Sequence, residues 1–165
     1  MTLIGVDNGV TGSVCFNQDK CDHFYKTPVF HCKNYQSSKN ISITRINTPI
    51  LEELIQKYWK ESDTYALLER PLNNPGLYTA SLSAMRALEA TLIVFEKFKI
   101  KYSFIDSKNW QKLYLGVDIK GRDNLKAKSK ELGQLIFPDF KNDDFDGYFI
   151  CLYLKDHFEK IFQRK

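Results

Sequence analysis

Leu3-Ile4-Gly5-Val6-Asp7-Asn8-Gly9-Val10-Thr11-Gly12-Ser13-Val14-Cys15-Phe16 reads as an apolar strand, a tight polar turn and a returning strand. The chain therefore opens as a β-hairpin, with Asp7 at the end of its first strand. Asp22 to Phe30 and Ile41 to Ile46 read as further strands separated by the polar loop Asn34 to Asn40, an antiparallel start of three to five strands. Thr48 and Pro49 then read as N-cap and first residue of a helix whose apolar face is Ile50, Leu51, Leu54, Ile55, Tyr58 and Trp59. Tyr65-Ala66-Leu67-Leu68 is a buried strand that ends on Glu69. A long helix is predicted over Ala80 to Phe98 and a last strand over Tyr102 to Ile105. Further helices are expected around Trp110, capped by Asp106 or Ser107, then over Asp123 to Phe137 and over Asp144 to Phe162. Strands first, then alternating strands and helices, give an α/β fold. Its mixed five-stranded sheet would be antiparallel at the start, then parallel, with helices on both faces.

With 165 residues the chain suits one domain, 1–165, and 43% apolar with 27% charged residues is the composition of a folded globular protein. Neither a long uninterrupted apolar run nor a signal-peptide pattern is present, so an intracellular protein is expected, without a membrane partner. Cys15, Cys21, Cys32 and Cys151 lack CxxC spacing and read as reduced thiols. Cys21, His23, His31 and Cys32 are a possible zinc set, against which stands the simpler reading of a hairpin with scattered Cys and His.

The net charge of +4 identifies no partner alone, but its distribution is uneven. Lys97, Lys99, Lys101, Lys108, Lys112, Lys120, Arg122, Lys126, Lys128 and Lys130 make the second half basic, and Lys160, Arg164 and Lys165 close the chain. Inside that half, Asp139, Asp143, Asp144 and Asp146 form a small acidic focus. Asp7 and Glu69 each end an apolar strand, where a charge needs a partner. Asp143 and Asp146, three residues apart at the start of the last predicted helix, would share one face. Asp143 or Asp144 capping that helix and Asp7 stabilising its turn are the structural alternatives. Glu69 has no such alternative. Hard oxygen ligands around Mg²⁺ or Mn²⁺ are the economical way to accommodate four such carboxylates. Two ions about 4 Å apart would bracket a phosphodiester.

In order and approximate spacing, Ile4-Gly5-Val6-Asp7-Asn8-Gly9-Val10-Thr11-Gly12, Leu67-Leu68-Glu69-Arg70-Pro71, Lys128-Ser129 and Asp143-Asp144-Phe145-Asp146-Gly147 resemble the RuvC-type Holliday junction resolvases. The resemblance spans essentially the whole chain. The compact length, the Glu69-Arg70-Pro71 segment and Trp110-Gln111-Lys112 are most similar to the bacteriophage RuvC-like members, which implies a host bacterial cytoplasm. It further implies an RNase H-like fold, a homodimer, and two magnesium ions, replaceable by Mn²⁺, held by Asp7, Glu69, Asp143 and Asp146. The implied activity is an endodeoxyribonuclease that resolves four-way junctions by paired symmetric nicks. Lys128 would approach the scissile phosphate, an exposed helical lysine being the alternative. Asn8 stands where the cellular enzymes usually have proline. Leu72, Leu77 and Tyr78 stand where they carry an aromatic wedge, and Tyr78 is a candidate to stack on an unpaired base. Lys108, Lys112, Lys120, Arg122 and Lys126 are candidate DNA contacts.

Ser81, Ser83, Ala84, Ala87 and Ala90 give the long helix a small-residue surface, read as dimer interface or as close packing on the protein's own sheet. Three rival functions follow from the same residues. One is a nuclease of broader branched-DNA scope, acting on forks and flaps; another is a non-catalytic junction-binding relative. The third is an actin-like nucleotide-binding domain, suggested by the Asp7 to Gly12 loop but disfavoured by a chain with room for only one lobe.

Overall fold

Alternation along the first strand splits the interior into two cores. In the computed structural model, which describes residues 1–34, 42–71 and 75–163, β1 (Thr2–Val6) is buried throughout. Ile4 and Val6 join one apolar cluster and Leu3 joins another, as the two-residue period of a strand requires. Both faces of the strand are therefore covered.

Flanking β1 are β2 (Ser13–Gln18), antiparallel, and β6 (Thr64–Glu69), parallel. With β3 (Cys21–Lys26) outside β2 and β7 (Lys101–Ile105) outside β6, the sheet has the order β3-β2-β1-β6-β7. β6 and β7 are also parallel. This is the expected mixed five-stranded sheet. The span Asp22 to Phe30, expected as one strand, is two. Pro28 has no N–H to continue the ladder, and beyond it β4 (Val29–Lys33) pairs with β5 (Ser42–Ile46) in a separate two-stranded sheet. Most of the polar loop Asn34 to Asn40, residue Ile41, Leu72, Arg164 and Lys165 lie outside the described residues.

On one face pack α1 (Thr48–Tyr58) and α2 (Tyr78–Lys97), which contribute Leu51, Ile55, Ala87, Val94 and Phe95 to the cluster around Ile4 and Val6. The α1 N-cap is Asn47, whose side chain accepts from the Ile50 N–H, one residue before the expected Thr48. A single 3₁₀ turn, Pro75–Leu77, leads into α2. The opposite face carries α3 (Ser107–Tyr114) and α5 (Asp146–Phe162), with Trp110, Phe149, Ile150 and Leu154 packed on Leu3, Cys15 and Leu67. Between α3 and α5 in the chain runs α4 (Arg122–Ile136).

Two glycines bring α5 onto the sheet. A Cβ on Gly5 would lie 2.2 Å from the Cys151 backbone nitrogen, and one on Gly147 would lie 2.4 Å from the Ser13 carbonyl oxygen. Only bare backbone allows this approach, and it sets the first turn of α5 beside the ends of β1 and β2. Among the described residues no helix is long and apolar enough to cross a membrane.

Candidate active site

Parallel pairing of β1 with β6 places Val6 opposite Leu68, so the next residue of each strand, Asp7 and Glu69, emerges at the same edge of the sheet. The turn into α5 delivers two more carboxylates there. Asp7, Asp144 and Asp146 each offer an oxygen, and these oxygens lie within 4.8 Å of one another. Glu69 adjoins this triad closely enough that its charge acts on Asp7, and those of Asp144 and Asp146 act on it.

Asp143, expected as a ligand, is not among them. Asp146 rather than Asp144 begins α5, so the helical spacing that would have set Asp143 and Asp146 on one face does not apply. The buried Asn142 turns the chain instead: its carboxamide accepts from the Asp143 N–H at 3.0 Å and donates to the Asp144 carbonyl at 2.5 Å. Phe145, fully buried, anchors the next residue against Phe24, Phe137 and Phe140. Asp143 therefore faces outward, its side chain 90% exposed and paired with Lys130, while Asp144 turns in. The Lys130 ammonium beside Asp143 holds its carboxyl below the usual range, an ordinary surface ion pair.

Hydroxyls, not cations, hold the two inward aspartates. Ser13, with no exposed surface, donates to Asp144 at 2.5 Å and accepts the Gly147 N–H at 3.0 Å, tying β2 to the start of α5. Ser129 on α4 donates to Asp146. Trp110 donates its indole N–H to Glu69 at 2.9 Å. Arg70, next in the chain to Glu69, is paired with Asp106 at 2.9 Å.

The electrostatic consequence is a cluster at odds with itself. Burial, then the charges of Asp144, Glu69 and Asp146, pushes Asp7 well above the normal carboxyl range. Burial also raises Glu69 to about 7, against the lowering effect of the Trp110 N–H. Asp146 is raised to about 7 by burial and by Asp144, opposed by Ser129 and Lys126. Asp144 is raised too, chiefly by burial, with Ser13 opposing. Converging half-buried carboxylates that repel one another, held by neutral donors, fit a hard divalent cation, which would take up their charge with oxygen ligands.

Lys128 pairs with Glu131 at 3.0 Å, one turn along the same helix. Lys126 acts electrostatically on both Asp144 and Asp146. On α4, Gly133 packs against Phe145 and Ser129 reaches Asp146, and Lys126 continues that stripe. Lys128, about 200° round the helix from Lys126, points elsewhere. Lys108, Lys112, Lys120, Arg122 and Lys126 are all exposed, and Tyr78 is 73% exposed at the start of α2.

Of the possible zinc set, Cys21 and His23 lie on β3 while His31 and Cys32 lie on β4, in a different sheet. His23 stacks on Tyr58, and His31 pairs with Thr44. All four cysteines are free thiols.

A mixed sheet with this strand order, helices on both faces and carboxylates at the ends of adjacent strands defines an RNase H-like fold carrying an acidic centre. RuvC of T. thermophilus, solved in complex with a Holliday junction substrate, has the same fold: TM-score 0.58, 11% identity, over 97% of this chain and 96% of that one. A second Thermus thermophilus RuvC structure aligns over the same shares at TM-score 0.50 and 11% identity. No protein-family model and no curated protein sequence matches the chain.

Proposed function

We propose that this protein, as a single nuclease domain, is a metal-dependent endonuclease that resolves four-way DNA junctions by paired nicks. The observation that carries this reading is the cluster of Asp7, Asp144 and Asp146 with Glu69 alongside, in a fold shared with a RuvC bound to a Holliday junction. Asp7, Glu69, Asp144 and Asp146 would hold the divalent ions, Mg²⁺ with Mn²⁺ able to replace it. Such ions, in pairs, would activate a water and stabilise charge on the attacking and leaving oxygens. The protein's own part is to place the carboxylates through hydrogen bonds from the neutral donors Ser13, Ser129 and Trp110. Lys126, exposed and near enough to act electrostatically on Asp144 and Asp146, would stabilise negative charge developing on the scissile phosphate.

That assignment separates two neighbouring lysines. Lys126→Ala is expected to lower the single-turnover cleavage rate about 100-fold, whereas Lys128→Ala, which removes an exposed helical ion pair, stays within about two-fold of wild type. Equal effects of the two substitutions would remove Lys126 from this role.

Symmetric nicking calls for two sites related by a two-fold axis. Ala87 packs in the protein's own core, so the small-residue surface is partly used internally. Tyr78, Met85 and Ile93, at 73%, 52% and 56% exposure, instead form an outward apolar stripe along α2 that supports dimerisation there. Lys108, Lys112, Lys120 and Arg122 would position DNA through its phosphates.

The experiment is cleavage of a strand-labelled four-way junction beside fork, flap and linear duplex. The proposal expects paired nicks at symmetric positions on the junction. Equal cutting of forks and flaps would widen the substrate to branched DNA in general, and salt-sensitive binding without cleavage in Mg²⁺ would reduce the protein to a junction-binding relative.

A further inference from the structure

We infer that Trp110 is a positioning residue for Glu69, fixing one oxygen of that carboxylate so that the other is presented to a divalent cation; the inference rests on the metal-centre reading above. Trp110 has no exposed surface, and its ring lies parallel to Phe149, 1° between planes with centroids 6.1 Å apart. Its rotamer is therefore set by the core between α3 and α5. The indole nitrogen is a donor only, with one hydrogen and one direction, and it meets Glu69 Oε2 at 2.9 Å.

The choice of a neutral donor has a physical consequence. A lysine or arginine in this place would orient Glu69 equally well but would neutralise it, competing with any cation for the same charge. The structure keeps the nearest candidate away, since Arg70 is turned to Asp106. An indole N–H orients the carboxylate and leaves its charge in place. Outer-shell donors of this kind typically control metal affinity by about 10- to 100-fold. The same contact makes Trp110 a reporter. The chain's other tryptophan, Trp59, donates to the Phe98 carbonyl and belongs to the cluster on the opposite face of the sheet.

The test uses Mn²⁺ as probe. Trp59→Phe leaves Trp110 as the sole indole, and its emission should be quenched saturably by Mn²⁺. Trp110→Phe keeps the ring stack on Phe149 and removes only the N–H; calorimetry should show Mn²⁺ bound about 10-fold more weakly. In a Glu69→Gln background the same substitution should add nothing further, the non-additivity expected of two residues acting through one contact. Unchanged Mn²⁺ affinity in Trp110→Phe would overturn the inference. So would an equal loss in both backgrounds, which marks a loosened core rather than an oriented carboxylate. If Trp110→Phe does not fold, an emission that ignores Mn²⁺ while calorimetry shows binding to the Trp59→Phe protein overturns it too. Wild type that binds no Mn²⁺ would instead overturn the metal-centre reading.

Discussion

Asp144→Asn is expected to lose junction cleavage by about a thousand-fold or more, some 4 kcal/mol of barrier, while Asp143→Asn cuts at close to the wild-type rate. The two residues are adjacent and chemically identical, so composition and net charge cannot separate them. Their surroundings do. Asp144 shares the triad with Asp7 and Asp146 and accepts from the buried Ser13, whereas Asp143 is a 90% exposed partner of Lys130. Asparagine at 144 keeps the size and one acceptor oxygen for Ser13, so the fold should survive while the anionic ligand is lost. The measurement is single-turnover cleavage with saturating enzyme, with thermal unfolding as a folding control. If Asp143→Asn is the inactive variant, the turn at Asn142 rearranges when metal or DNA binds, and the ligand set is Asp7, Glu69, Asp143 and Asp146.

The second large effect concerns stability and runs opposite to activity. Asp146→Asn should make the metal-free protein more stable at pH 8, by about 2 kcal/mol, or about 4–8 °C in midpoint, while abolishing cleavage. Glu69 and Asp146 are both raised to about 7 in the folded protein, mainly by burial. In the unfolded chain they ionise near their ordinary values of about 4. From about pH 4 to about pH 7 the folded protein thus holds protons that the unfolded chain has released. The stability from these groups is complete below the unfolded values and is lost as pH rises through about 7. Asparagine fixes the uncharged state and removes the repulsion from Asp144. Divalent cation should do the same for wild type at pH 8, by mass action on the folded state, and do much less for Asp146→Asn. Unfolding midpoints at pH 5 and pH 8, with Mg²⁺ or EDTA, decide it. A metal-free wild type more stable at pH 8 than at pH 5 would contradict the electrostatic account.

Much of this architecture was legible because it is written in local patterns. A carboxylate ending an apolar strand, as at Asp7 and Glu69, is visible without a fold, and the short apolar run from Leu3 to Val6 announces a strand. The turn before α5 was not legible. Asp143 and Asp146 satisfy a helical spacing only if the helix has begun, and its start is set by tertiary facts: the buried Asn142 bridging two backbones and Phe145 entering an aromatic core. One signal was available, an apolar residue flanked by two acids in Asp144-Phe145-Asp146, which with Phe145 buried leaves both acids to the other side. The phase of α4 was not legible for a similar reason, since it depends on what the helix packs against. Gly133 marks the packed face, and Ser129 and Lys126 follow one and two turns back along it. Ser13 carries no local sign of its role; a serine opening a strand is unremarked until α5 arrives against it.

A divalent-metal centre held by these four carboxylates should make cutting of branched DNA depend on added metal. Cleavage of a four-way junction by the wild-type protein is measured in EDTA and then with Mg²⁺ added back. No nicks are expected in EDTA and full recovery on addition, with none recovered by Asp144→Asn; nicking of the same junction in EDTA at the Mg²⁺ rate would contradict a metal centre at these residues.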